Sequence, residues 1–166
     1  MSAQRVLYPA IALALVALTA GAASGAPGMV TVRIHQVSAL DDLDPDVFGQ
    51  GRADFYAVIT LDSERFRTRV WNGRDDLLPG DEWTFSKWVS GDLVNISLRL
   101  YDDDDGWFDK DDHLDINPDK GIRDIHLSLD RRSGRIAGDV MGMRGQLLTV
   151  RGGGDDDKAE VQFTIE

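Results

Sequence analysis

The chain has 166 residues, contains no cysteine and carries a formal net charge of −11 at pH 7. Without cysteine it can form no disulfide, no thiolate metal site and no cysteine nucleophile. Its 18 Lys and Arg residues are outnumbered by 29 Asp and Glu residues, which argues against nucleic acid as a partner because phosphate binding needs clustered cations. The length is sufficient for one ordinary hydrophobic core, so we expect one domain.

The N-terminus has the pattern of a secretory signal. Arg5 is the only charged residue among residues 1–25, an apolar stretch runs from Ile11 to Leu18, and small residues at 20–25 suit cleavage. We therefore expect residues 1–25 to be a signal peptide that is removed, and the mature protein to be secreted or periplasmic. An uncleaved membrane anchor is the alternative, although the apolar stretch is short for a span of about 20 residues.

After a short linker at residues 26–29, the pattern predicts one β-sandwich domain at residues 30–166. Apolar residues alternate at Val30, Val32 and Ile34, which is the period of a half-buried strand. Similar patterns recur to the C-terminus without sustained helical periodicity, separated by turns rich in Gly, Asn and Asp, as is typical of an antiparallel sandwich. The predicted strands are 30–38, 54–61, 65–71, 83–89, 93–101, 123–129, 135–140, 146–151 and 159–166.

Two long acidic connections, at residues 39–53 and 102–122, interrupt this pattern. The second contains eight aspartates within fourteen residues, namely Asp102, Asp103, Asp104, Asp105, Asp109, Asp111, Asp112 and Asp115. Unit charges about 4 Å apart repel by about 4 kcal/mol at a protein surface, so converging carboxylates favour a bound cation. Calcium accepts six to eight oxygen ligands in loose geometry. The run therefore predicts a calcium site, and a solvated acidic loop is the alternative.

The order of these elements resembles that of a C2 domain. Residues 46–49 (Asp-Val-Phe-Gly) and 54–56 (Asp-Phe-Tyr) take the places of the D-x-x-G and D-P-Y motifs of that family. Residues 100–104 (Leu-Tyr-Asp-Asp-Asp) and 111–114 (Asp-Asp-His-Leu) take the places of its V-x-D-x-D motif and its distal aspartate. The resemblance covers residues 30–166 and rests on both aspartate loops, their strand context and their order.

The resemblance implies an all-β, eight-stranded antiparallel sandwich with the circularly permuted type II topology, in which both loops hold Ca²⁺ at one end. Carried over residue by residue, the metal ligands are Asp46, Asp54, Asp102, Asp104 and Asp112. The chain departs from the family pattern, since both aspartate spacings are longer than usual and Phe55 replaces the usual proline. Four other aspartates therefore stay open as ligands: Asp44, Asp109, Asp111 and Asp115, which stands where glycine is common.

Apolar residues mark the tips of both loops: Phe48 in the first, and Trp107 and Phe108 in the second. In C2 domains such residues can enter a bilayer while bound calcium bridges to anionic head groups, so the resemblance implies contact with an anionic phospholipid surface. The same aromatics can instead pack together and close the metal site. One face of a predicted strand carries Arg65, Arg67 and Arg69. These arginines can form a site for lipid head groups, or they can form a solvent-facing row on an edge strand.

We expect a noncatalytic, monomeric calcium-binding module whose metal ions order a binding face for anionic lipid or a protein partner. Two alternatives stay open: a structural or adhesive module that calcium only rigidifies, and a phosphoester hydrolase that uses a divalent metal. No Ser-His-Asp spacing and no Gly-rich phosphate loop accompanies the carboxylates in the sequence. We therefore predict no catalytic residue and no cofactor other than Ca²⁺.

Overall fold

The computed structural model describes residues 26–41, 43, 52–103 and 111–166. These residues form twelve β-strands and one 3₁₀ helix (Gly80–Trp83). Within these ranges, no helix is long and apolar enough to cross a membrane. The predicted signal peptide at residues 1–25 lies outside the described residues and stays a prediction.

The strands have the following bounds: β1 (Gly28–Ala39), β2 (Phe55–Leu61), β3 (Glu64–Arg67), β4 (Asp76–Leu77), β5 (Thr84–Val89), β6 (Leu93–Asp102), β7 (Asp112–Leu114), β8 (Ile125–Asp130), β9 (Arg135–Gly138), β10 (Gly142–Met143), β11 (Leu148–Arg151) and β12 (Ala159–Ile165). They form two antiparallel sheets. Sheet A has the order β11-β12-β1, and β4 and β5 pair with successive parts of β1. Sheet B has the order β10-β9-β8-β6-β2-β3, and β7 also pairs with β6. The prediction of an all-β antiparallel sandwich is confirmed.

The hydrophobic core lies between the two sheets and follows the alternation of the strands. Val30, Val32 and Ile34 of β1 are at most 1% exposed, and the fully buried Trp83 joins the same cluster. Burying each aliphatic side chain stabilises the fold by about 1.5–3 kcal/mol. This alternation sets the register of both sheets, because a slip of one residue would turn every core side chain to solvent.

Each of the nine predicted strand segments overlaps a strand of four or more residues, although β3 ends at Arg67, before the predicted end at residue 71. Three further strands, β4, β7 and β10, have two or three residues each, so the structure has more strands than the predicted eight. These short strands form where a connection pairs with a longer strand. The alternation of apolar residues does not reveal such pairing. β1 begins at Gly28, within the predicted linker. The type II topology stays a prediction.

One end of the sandwich collects the described residues 39–41, 52–54, 72–76, 102–103 and 111–112, which we call the acidic end. Backbone hydrogen bonds connect these segments. The amide of Ala39 donates to Asp75, that of Arg74 to Ala53, and that of Asp103 to Asp54. The fold therefore brings the described residues that border the undescribed parts of both acidic loops to one place, as the resemblance to a C2 domain implies.

Candidate metal centre

β6 places Asp102 in the row of side chains that faces the core. Burial alternates along this strand, and the apolar members of the row are Val94, Ile96, Leu98 and Leu100. Asp102 continues the row and is 3% exposed. The strand register therefore holds this carboxylate below the surface of the acidic end.

Asp54 precedes β2 and lies beside Asp102. The backbone N–H of Asp54 donates to Oδ1 of Asp102 at 2.5 Å, and the next residue, Phe55, is the register partner of Asp102. The carboxylate of Asp54 has two donors of its own. Gly73 N–H donates to Oδ1 at 2.5 Å, and the Asn72 side-chain amide donates to Oδ2 at 3.0 Å.

Asp112 begins β7 and is the register partner of Asp102 on the other side of β6. Asp54, Asp102 and Asp112 thus come from the ends of three neighbouring strands, β2, β6 and β7. Asp112 is exposed, whereas Asp54 is partly exposed. The sheet therefore brings three of the five predicted ligands to the same edge of the acidic end.

The other two predicted ligands, Asp46 and Asp104, lie outside the described residues. So do the predicted contact residues Phe48, Trp107 and Phe108, and the open candidates Asp44 and Asp109. Their assignments stay predictions.

The described part of the chain contains no group of three or more His, Cys, Asp or Glu side chains arranged to hold a metal ion. Asp54, Asp102 and Asp112 would therefore need further ligands to complete a site. The donor chemistry fits calcium, since carboxylate oxygens are hard ligands that Ca²⁺ prefers. In this arrangement Asp54 and Asp102 would hold the ion from the β2 and β6 side, and Asp112 from the β7 side.

Two aspartates of the second loop already have protein partners. Oδ2 of Asp111 accepts a hydrogen bond from the Tyr56 hydroxyl at 2.5 Å, and Oδ1 of Asp103 lies 3.2 Å from the Arg67 guanidinium. Burial raises the pKa of the Tyr56 hydroxyl well above its usual range, and the hydrogen bond to Asp111 raises that pKa further. Tyr56 therefore remains a donor to Asp111 at neutral pH.

A stacked row of side chains supports these two contacts. Tyr56 stacks on Tyr101 at 4.9 Å, Tyr101 stacks on His113 at 4.8 Å, and the Arg67 guanidinium lies 3.9 Å from the centre of the Tyr56 ring. Nε2 of His113 lies 2.7 Å from Asp124. Burial lowers the pKa of His113 and outweighs the opposite effect of Asp124. The imidazole is therefore mainly neutral at pH 7.

Asp115 has a different environment from the other acidic-loop residues. It is 3% exposed, and its two carboxylate oxygens accept hydrogen bonds from the amides of Asn117 at 3.0 Å and Gly154 at 2.6 Å. A Cβ on Gly152 would lie 2.2 Å from the Asp115 carbonyl oxygen. Asp115 thus fastens the second loop to the connection between β11 and β12, and the glycine triplet 152–154 is the sequence signal for this close approach.

The predicted basic strand corresponds to β3, which lies at the edge of sheet B and ends at Arg67, so Arg69 lies beyond the strand. Arg69 pairs with Glu82 at 2.7 Å and lies over the Trp71 ring at 4.7 Å. With Arg67 engaged by Tyr56 and Asp103, two of the three arginines of the row already have local partners. This edge position agrees with the interpretation of a row that protects an edge strand.

Comparison with family models and with curated proteins finds no match for this chain. Solved structures do match. A calcium-bound structure of the paired C2 domains of Extended-Synaptotagmin 2 aligns with a TM-score of 0.53 at 17% identity, covering 84% of this chain and 45% of that chain. A structure described as a C2 domain aligns with a TM-score of 0.50 at 14% identity, covering 83% of this chain and 97% of that chain.

The protein has a C2-like fold. Human GIVD cytosolic phospholipase A2 in complex with methyl gamma-linolenyl fluorophosphonate also aligns, with a TM-score of 0.52 at 16% identity over 86% of this chain. This protein spans only 17% of that phospholipase chain, and it spans 48% of the chain in another Extended-Synaptotagmin 2 structure. Structural matches at identities this low show the fold alone. Any argument about function therefore depends on the residues of the acidic end.

Proposed function

We propose that this C2-like domain binds calcium at its acidic end and uses the metal-bound end to contact an anionic lipid surface. The observation that carries the proposal is the position of Asp54, Asp102 and Asp112 at the ends of three neighbouring strands. Asp46 and Asp104 would complete the ligand set from the two loops. The calcium-bound state of Extended-Synaptotagmin 2 shows that a protein with this fold can take the ion.

The charges explain why a metal would control binding. With a net charge of −11 for the whole chain and several aspartates at the acidic end, the metal-free domain would be repelled by an anionic surface. Bound calcium would supply the positive charge that reverses this repulsion and offers coordination positions to head-group oxygens. The chain's own carboxylates hold the ion at the end of the sandwich, where a planar surface can reach it.

The apolar tips give this contact a second component. Phe48, Trp107 and Phe108 belong to the two connections that leave the acidic end, and aromatic side chains favour the boundary between lipid and water. We propose that they enter the head-group region once calcium has brought the domain to the surface. The role is noncatalytic, and the protein acts as a monomer.

The proposal includes export of the chain. Residues 1–25 would direct secretion or transport to the periplasm and then be removed. Calcium modules outside the cytoplasm often bind with dissociation constants of about 10⁻⁴–10⁻³ M, which suits a medium rich in calcium. An acidic surface with no cysteine is compatible with that environment.

Thermal melting of residues 26–166 tests the calcium site, since these residues contain all twelve described strands. At a hundredfold excess over the dissociation constant, calcium should stabilise the fold by about 2.7 kcal/mol. This corresponds to a rise of about 10 °C in the melting temperature. Excess chelator gives the baseline and equal magnesium is the control. No rise with calcium would contradict the proposal.

Pelleting with liposomes then tests the lipid contact. Vesicles containing phosphatidylserine should pull down the domain with calcium and release it in chelator, whereas neutral vesicles should not retain it. A domain that calcium stabilises but that never pellets would be the structural or adhesive module instead.

A further inference from the structure

The carboxylate of Asp54 is held by a turn from a different part of the chain. Gly73 and Asn72 donate one hydrogen bond to each of its oxygens, at 2.5 and 3.0 Å. Gly73 has a φ of 68°, a left-handed conformation that glycine adopts without strain. The Asn72-Gly73 pair therefore has the conformation that brings both donors to one carboxylate.

The backbone on either side of this turn is fixed to the segment that carries Asp54. Phe55 and Trp71 exchange both of their backbone hydrogen bonds, at 3.0 and 2.9 Å, and Arg74 N–H donates to the Ala53 carbonyl at 2.9 Å. Asp54 lies between these bonds. The main chain of its two neighbours and the carboxylate of Asp54 are thus held by the same short segment, residues 71–74.

Two hydrogen bonds restrict the rotation of a carboxylate without using all its acceptor capacity. Each carboxylate oxygen offers about two acceptor positions, so both oxygens of Asp54 keep a position for a cation. The loss of side-chain entropy on metal binding is smaller when the ligand is already oriented. Groups that orient a metal ligand in this way commonly change metal affinity by about 10–100-fold when they are removed.

We propose that Asn72 is a positioning residue for calcium, which with Gly73 N–H orients the Asp54 carboxylate toward the ion. This inference rests on the proposed calcium site. It adds a residue that contacts no metal and lies well away from both aspartate loops in the sequence. Asn72 acts through Asp54, and Gly73 retains half of the arrangement when Asn72 is replaced.

The test compares Asn72→Ala with the unsubstituted chain and with Asn95→Ala, all as residues 26–166. Asn95 is an exposed residue of β6, about 23 Å along the strand from Asp102. Calorimetric titration with calcium should show about tenfold weaker binding for Asn72→Ala, and unchanged binding for Asn95→Ala. The melting temperature in chelator should change little in either variant, because Asn72 and Asn95 are both exposed.

The Gly73 amide proton gives a direct readout in the unsubstituted chain. Its hydrogen bond ends on Asp54 Oδ1, so a calcium ion on that carboxylate should weaken the bond and shift the amide resonance upfield. The shift should saturate at the same calcium concentration as the calorimetric titration. An unmoved resonance would mean that the Asp54 carboxylate does not bind the ion, and it would overturn the inference.

The outcomes separate this inference from the proposed function. If the unsubstituted chain binds no calcium, both fail. If it binds calcium, but Asn72→Ala keeps full affinity, Asn72 is not a positioning residue and the proposed function stands. If Asn72→Ala does not fold, Asn72→Ser takes its place in the titration: weaker calcium binding supports the inference, and unchanged binding overturns it.

Discussion

Two aspartate-rich regions of this molecule use similar carboxylates in different ways. Around the connection between β11 and β12, Asp155 pairs with Lys120 at 2.6 Å, Asp157 pairs with Arg123 at 2.9 Å, and the buried Asp115 accepts two backbone amides. At the acidic end, by contrast, Asp54, Asp102 and Asp112 lie at the ends of three neighbouring strands.

The difference shows that the number of aspartates in a segment does not define a metal site. Asp115 lies three residues beyond Asp112, yet one of its oxygens accepts the Asn117 amide in its own loop and the other accepts the Gly154 amide of the connection between β11 and β12. Asp54 also accepts two hydrogen bonds, but from a turn that leaves its carboxylate partly exposed beside Asp102. What distinguishes the two carboxylates is burial, since Asp115 is 3% exposed whereas Asp54 is partly exposed, and substitutions in both regions can test the difference.

The largest expected effect is on folding, at Asp115. Asp115→Ala leaves the buried amide of Asn117 and the partly buried amide of Gly154 without this acceptor, and an unsatisfied buried donor costs about 1–3 kcal/mol. We expect the free energy of unfolding in chelator to fall by about 3 kcal/mol, measured by urea denaturation. The calcium-dependent increase should persist in the variant. Asp155→Ala, on the exposed side of the same region, is the matched control and should change stability by less than about 0.5 kcal/mol.

At Asp102 we expect an effect of similar size, but only on the stabilisation of the fold by calcium. Asp102→Asn keeps an oxygen that can accept the Asp54 N–H and removes the negative charge, so the metal-free fold should survive. The stabilisation by calcium, about 2.7 kcal/mol at a hundredfold excess, should be lost in the melting experiment. Asp103→Asn removes the same charge from the neighbouring residue, which already pairs with Arg67, and should keep most of the calcium response. If calcium stabilised Asp102→Asn and Asp103→Asn equally, Asp102 would not be a more important ligand than Asp103.

The smallest effect belongs to an exposed ion pair on sheet A. The Arg151 guanidinium donates to Glu160 at 2.5 Å and lowers the pKa of that carboxyl below its usual value, chiefly through this hydrogen bond. Arg151→Ala should cost about 0.5 kcal/mol at pH 7, as exposed pairs typically do.

The pH dependence of this pair has a definite sign. Because the folded-state pKa of Glu160 is depressed, the pair stabilises the fold above the unfolded pKa, and this stability is lost as the pH falls through the folded pKa. The unfolding free energies of Arg151→Ala and the unsubstituted chain should therefore converge in acid. A constant difference from pH 7 to strongly acidic solution would contradict this interpretation.

Much of the fold could be read from the chain alone. Alternation of apolar residues placed all nine of the longer strands, because core burial imposes a period of two on each of them. The strands β4, β7 and β10 were missed, since two or three residues are too few to show a period. Their pairing depends on which connection passes beside which strand, and that is decided by contacts distant in sequence.

The sequence by itself determined the sandwich, the acidic charge, and the order of two aspartate loops around strands that end together. Only the tertiary structure showed that Asp115 fastens the connection between β11 and β12, that Asp103 and Asp111 contact Arg67 and Tyr56, and that Asn72 and Gly73 hold Asp54. The reason is physical. Periodicity reports which face of a strand is buried, whereas the partners of a carboxylate depend on segments that folding brings together from far along the chain.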